Sequence, residues 1–263
     1  MTNKRTLTRS LPAALVFLVG LAAHAGAQCV DPATFQPDPE FTSNFMLDRC
    51  TFKTTGANPF FILRPGYQLV LENDPEPGEE FVRAQITVLR ETQVVDGVKT
   101  RVVEESEWVD GVLVEVSRNF FAICKQTNSV VYFGEDVDIF EYDEDGNVIS
   151  VSHEGAWRAG ENGARPGFIM PGTILLGGKY YQEIAAADSA LDKAEIVAMD
   201  DECEAGGEVY GDCVSTEDTT DCDPGAEADE KVYAAGIGVV VDGDLELVDF
   251  GFVRGHGDDE DDD

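Results

Sequence analysis

The chain has 263 residues, 52 acidic and 18 basic, for a formal net charge of −34. A field of that sign repels nucleic acid and anionic membrane surfaces and attracts cations and basic partners, so nucleic acid is excluded as a partner. An acidic surface also keeps an exported protein soluble, above all in salty water, where screening weakens its self-repulsion.

The first predicted element is an export signal over residues 1–27. Lys4, Arg5 and Arg9 form a basic head, LPAALVFLVGLAA an apolar stretch, and Ala25-Gly26-Ala27 a small-x-small cleavage site. The apolar stretch is shorter than the ~20 residues a membrane span needs, so the mature chain is expected to carry no transmembrane segment. Gln28 stands directly before Cys29, where a lipoprotein cut wants a small residue. The expectation is therefore cleavage after Ala27 and a periplasmic or secreted protein. That cut removes three basic residues and no acidic ones, moving the net charge from −34 to −37.

Cys29, Cys50, Cys124, Cys203, Cys213 and Cys222 all follow the signal. In an exported chain they predict up to three disulfides. The crowding of Cys203, Cys213 and Cys222 predicts a local staple, and a Cys29–Cys50 bridge would pin the N-terminal arm. No CxxC or Cys/His spacing points to zinc.

Residues 28–57 hold Pro32, Pro37 and Pro39 among polar residues and read as an arm. From Asn58 to Val253 the pattern is that of short strands. Tyr67–Glu72 is a first strand, broken by DPEPGEE. FVRAQITVLRETQVV follows, with Val82, Ala84, Ile86 and Val88 on one face, then VKTRVVEESEWV and VLVEVSRNFFAIC. Asp96-Gly97 and Asp110-Gly111 separate these runs, and Asp-Gly suits tight hairpin corners because both residues tolerate positive φ. SVVYFG, VDIFEYDEDGNVISVS with Asp145-Gly146, KYYQEIA, LDKAEIVAMD, KVYAAGIGVVV and DLELVDFGFV continue the series, the last two joined at Asp242-Gly243. ECEAGGEVYGDC is a turn-rich hairpin or loop. GHGDDEDDD, within residues 254–263, is an acidic tail that cannot bury anything. The fold class predicted is all-β: one domain, an antiparallel meander forming a barrel or half-barrel.

Six segments, NPFFILRPG, VVDGVKTRVV, YFGED, GARPGFIMPG, YYQE and YAAGIGVV, in this order, resemble a family of uncharacterised exported bacterial β-rich proteins. The likeness spans roughly residues 58–250. YAAGIGVV is also similar to a strand signature of periplasmic half-barrel lipoproteins, with Ala235 where proline is usual. The resemblance implies a fold and a compartment, and no activity or catalytic residue.

His153 is the one histidine placed to act as a base, but its neighbours Ser152 and Glu154 alternate faces in a strand, and no G-x-S-x-G elbow exists. It reads as an edge-strand histidine. Acid pairs for a hydrolase would come from Glu135, Asp136, Glu154 and Glu161. AGENGARPG lacks the lysine and helix of a phosphate loop. Asp136, Asp138, Asp143 and Asp145 form the acidic string best placed for weak Ca2+ binding. The EF-hand register fails at Ser152, where a bidentate glutamate belongs.

The stretch from Ser152 to Gln182 breaks the strand series. Pro166-Gly167 and Pro171-Gly172 frame Phe168, Ile169 and Met170, and Trp157, Arg158 and Arg165 stand just before. Within this segment, residues 155–172 are expected to cap one open end of the barrel, either as an apolar plug or as a ligand site. The function expected is an exported, non-enzymatic binding protein without a cofactor. It would take a small apolar or lipid-like ligand in the concave face, through Trp157, Arg158, Arg165, Phe168, Ile169 and Met170. The alternatives are an acidic structural or cation-binding envelope or surface protein, and a carboxylate-based hydrolase.

Overall fold

A computed structural model describes residues 28–253; the expected signal and acidic tail lie outside the described residues. The chain opens with β1 (Phe52–Lys53), β2 (Gly56–Asn58), β3 (Phe61–Leu63) and β4 (Tyr67–Glu72). Long staves follow: β5 (Val82–Val95), β6 (Val98–Val109), β7 (Val112–Cys124) and β8 (Val130–Tyr142). Short strands come next: β9 (Val148–Ser152), β10 (Trp157–Arg158), β11 (Arg165–Met170), β12 (Lys179–Tyr181) and β13 (Glu183–Ile184). The chain ends in β14 (Asp192–Ala205), β15 (Glu208–Thr220), β16 (Asp229–Ala234), β17 (Gly238–Asp242) and β18 (Leu245–Phe252).

The corners between β5 and β6 and between β6 and β7 are two residues each. Asp96 and Gly97 both take positive φ (46° and 74°), as do Asp110 and Gly111 (50° and 81°). That is the conformation whose twist matches the flanking strands. At the β17–β18 hairpin Asp242 pairs with Leu245, so the corner is Gly243-Asp244 and not the expected Asp242-Gly243. The shift keeps the Asp242 side chain in the ladder, where it is buried.

The strand order is β12-β14-β15-β16-β17-β18-β4-β5-β6-β7-β8-β11-β13, an antiparallel meander nearly closed into a barrel. Closure depends on one segment. β12 and β13 are consecutive in the chain, yet β12 pairs with β14 and β13 pairs with β11. A Gln182 N–H donated to the Asp192 carbonyl carries the segment across the seam.

Residues 165–170, expected as a cap, are a stave of the wall paired with β8. Gly167 is needed there, since a Cβ would stand 2.4 Å from the Tyr181 carbonyl oxygen. Glycine and proline in this stretch serve a tight seam and not a loose lid.

The arm lies over the seam from outside. Thr42 bridges to Tyr180 in parallel, and Phe41 and Phe45 pack with Tyr181, Ile184 and Leu191. The disulfides are Cys29–Cys222, Cys50–Cys124 and Cys203–Cys213. The local staple is the expected one; the arm is pinned to Cys222 and Cys124 and not to itself through Cys29–Cys50. In the chain-entropy account a bridge spanning 193 residues stabilises by about 5 kcal/mol and one spanning 10 by about 3 kcal/mol. The pair C29S/C222S is therefore expected to lower the melting temperature more than C203S/C213S in calorimetry. An equal or smaller drop would mean the seam holds without its strap. Among the described residues no helix is long and apolar enough to cross a membrane.

Candidate functional site

Register divides the inward face into two chemistries. On one side Tyr67, Leu69, Ile86, Val88 and Val103 meet Ile169, Tyr233 and Val239, and the separate β2–β3 ribbon adds Phe61 and Ile62. They enclose an apolar pocket with a volume of about 40 Å³.

One rung further along, the same face turns acidic. Ile86 stands opposite Glu105 and Ala84 opposite Glu107. Glu105 then faces Ser117, and Glu107 faces Glu115. Asn119 faces Glu135 on β8. From the other side of the barrel Asp218 stands opposite Asp229, and Lys231 opposite Thr216 and Asp242. Glu105, Glu135, Glu183, Asp218, Lys231 and Asp242 are buried.

Lys231 is the cation of this half. Its Nζ lies 3.2 Å from Asp242 Oδ1 and 4.0 Å from Asp218 Oδ2. Asp218 also accepts from Gln182 Nε2 (2.9 Å) and Thr216 Oγ1 (2.8 Å). Burial alone would push the Lys231 ammonium down, but Asp242, Asp218 and Glu105 carry it above the ordinary lysine value.

The carboxyls move the other way. Burial lifts Asp242 to about 6 against the pull of Lys231, and Asp192 to about 7 against a Thr220 hydrogen bond. Burial, reinforced by the charges of Glu115 and Asp242, takes Glu107 to about 8. Glu105, Glu135 and Glu183 are pushed well above the carboxylate range, chiefly by desolvation. Burial in this half of the barrel therefore favours the protonated form of its glutamates.

The residues singled out from sequence separate by face. Trp157 is buried opposite Glu135, its ring edge-on to Tyr132 at 5.2 Å. Ile169 lines the apolar pocket and Met170 is buried in the core. Arg158 grips both oxygens of Asp136 (2.7 and 2.8 Å) and lies over the Phe120 ring, so it is already committed. Arg165 is exposed and donates to the Ser43 carbonyl at 3.4 Å, tying down the arm. Phe168 packs on Phe45 at 4.3 Å, beneath the arm.

Asp138 engages Arg118 (3.7 Å) and His153 Nδ1 (2.9 Å). Asp143 accepts the backbone N–H groups of Asn147 and Asp145, and these bonds hold its carboxyl below the usual value. Asp145 is exposed in the same turn. Among the described residues no group of three or more acidic, histidine or cysteine side chains is arranged to hold a metal ion. Of the acids considered for hydrolysis, Glu135 faces inward while Asp136, Glu154 and Glu161 are exposed.

Glu105, Glu107, Glu115, Glu183, Asp192, Asp218, Lys231 and Asp242 were not singled out from sequence. The signal that could have found Glu105 and Glu107 is parity, since they share a strand face with Val103. Comparison of the chain with protein-family models, with curated proteins and with solved structures found no match.

Proposed function

We propose that the protein is a non-enzymatic binding protein that takes a small apolar ligand inside its barrel. The observation that carries this reading is the apolar pocket between β4–β6, β11, β16–β17 and the β2–β3 ribbon. Binding pockets are concave, mostly apolar and edged by a few polar groups, and this one borders an acidic rung. Its volume of about 40 Å³ is well below the ~150 Å³ of a cavity that accepts benzene. A lipid-like guest therefore requires the β2–β3 ribbon, with Phe61 and Ile62, to move aside. Export is supported by the leader-like residues 1–27 and by three disulfides, which persist in oxidising compartments.

The test is a fluorescence titration with the neutral probe N-phenyl-1-naphthylamine. Saturable enhancement is expected in the wild type. In Ile86→Phe, which fills the pocket, the enhancement is expected to fall at least tenfold while the melting temperature stays within a few degrees. Flat emission from the wild type, or unchanged binding in the folded variant, would remove the pocket as a site.

A further inference from the structure

Three buried polar atoms outside the pocket lining make no hydrogen bond of good geometry: Glu135 Oε2, Glu183 Oε2 and Trp157 Nε1. Their residues are only 2%, 1% and 3% exposed. Buried polar groups left unpaired are costly and rare, so three together mark a place built for an occupant. They belong to one neighbourhood. Trp157 stands opposite Glu135, and Glu183 feels both the charge of Glu135 and the indole N–H of Trp157. Tyr132 closes one side, its ring against Trp157 and its hydroxyl donating to Asn119 Oδ1 at 2.7 Å.

The chemistry selects the occupant. Two carboxyl groups close enough for Glu183 to feel the charge of Glu135 accept hydrogen bonds and, once ionised, favour positive charge, and the rings of Trp157 and Tyr132 add cation–π attraction. The aromatic walls of Trp157 and Tyr132 suit an organic cation. A primary ammonium brings three donors on one atom and needs little room. Burial raises the Glu183 carboxyl well above the ordinary range, and the Trp157 N–H next to it works in the opposite direction, easing the ionisation that an ammonium would demand.

Register supplies the route to the pocket. Val103 lines the apolar pocket, faces Asn119, and Asn119 faces Glu135. Those are two inter-strand steps of about 4.8 Å, so head and body sites lie about 10 Å apart along one rung. We propose that Glu135, Glu183 and Trp157 form the polar subsite for the ammonium head of a small alkylammonium ligand whose apolar body lies beside Val103 and Ile169. The head assignment stands on the three unpartnered atoms; the placement of the body rests on the pocket reading above.

The experiment is isothermal titration of the full protein with n-hexylammonium and, as its uncharged counterpart, n-hexanol, in 0.5 M salt to suppress binding to the acidic surface. One-to-one binding of hexylammonium is expected, at least tenfold tighter than hexanol. Glu135→Gln and Glu183→Gln each keep the side-chain shape and should cut hexylammonium affinity at least tenfold, leaving N-phenyl-1-naphthylamine binding in place. Trp157→Phe, a second and gentler variant, should weaken it several-fold, and the surface change Asp143→Asn should do nothing. Equal affinity for amine and alcohol, or full affinity in both folded glutamine variants, would overturn the proposal. Probe binding without hexylammonium binding would overturn it while leaving the apolar pocket standing. Glu135- and Glu183-dependent amine binding without probe binding would support the head site and remove the pocket. Binding of neither would remove both.

Discussion

The melting temperature is expected to fall by about 10 °C or more as the pH is raised from about 5 to about 9. The sign follows from the direction of the buried shifts. Asp242 at about 6, Asp192 at about 7 and Glu107 at about 8 all lie above the ordinary carboxyl values, and Glu105, Glu115, Glu135, Glu183 and Asp218 are raised as well. The folded state thus binds more protons than the unfolded chain. Stability is full below the unfolded carboxyl values, near pH 4, and is lost step by step through pH 6, 7 and 8. Each unit of upward shift costs about 1.4 kcal/mol once the group is forced to ionise, so a few such groups rival a domain's net stability of about 5–15 kcal/mol. Lys231, raised above its ordinary value, stays charged across this window and adds no slope. Asp38 and Asp143 have lowered values and act in the opposite sense, but both lie at the solvent-facing surface, where screening leaves them little weight.

Self-repulsion of a chain with net charge −34 also grows with pH, so the two causes need separating. In 1 M salt the screening length drops to about 3 Å, which silences the surface and leaves the interior almost untouched. A pH slope that persists in high salt and flattens in Glu107→Gln identifies the barrel interior as its source. A slope that vanishes in salt would show that the interior carboxyls titrate normally.

How far the residues themselves announced this arrangement depends on the feature. The meander was legible because Asp96-Gly97 and Asp110-Gly111 sit between alternating runs and take the positive φ that tight corners require. Val82, Ala84, Ile86 and Val88 share a face in β5 as their alternation implies: three are buried and Ile86 lines the pocket. The acidic interior was not legible for a physical reason. Alternation identifies the inward face only when that face is apolar, and in β6 it continues from Val103 into Glu105 and Glu107. With 52 acidic residues in the chain, those two look like a solvated face. Asp242 was hidden by the corner motif itself, since Asp-Gly suggested a turn where the residue is a buried strand end. Residues 165–170 misled in the reverse sense. Their glycine and proline suggest a loop, yet Gly167 is there to let two backbones meet at the seam. Disulfide pairing depends on which strands become neighbours across the barrel, which no local spacing encodes. The head subsite is read from atoms left unpaired on β8, β10 and β13, a property that exists only once those strands are brought together.

Replacing Lys231 with methionine is expected to cost about 3–5 kcal/mol at pH 8, because breaking a buried pair leaves charge without compensation. Methionine keeps most of the side-chain volume, so packing changes little and the loss is electrostatic. Asp242 loses an ammonium 3.2 Å away and Asp218 one at 4.0 Å, in a place already crowded by Glu105. The effect should shrink as the pH falls. Below about 6 Asp242 takes up a proton in the wild type, and without Lys231 it does so at a still higher pH. The variant should therefore lie closer to wild-type stability near pH 5, where Asp242 can be neutral. Lys231→Met combined with Asp242→Asn should recover a large part of the loss at pH 8, since the second change removes the charge that the first exposed. Chemical denaturation of the four proteins at pH 5 and pH 8 measures all of this in one matrix. If Lys231→Met were equally destabilising at both pH values, and the double variant no better than the single, the lysine would be a packing element. The ring of carboxyls around it would then have to be neutral in the native protein from the start.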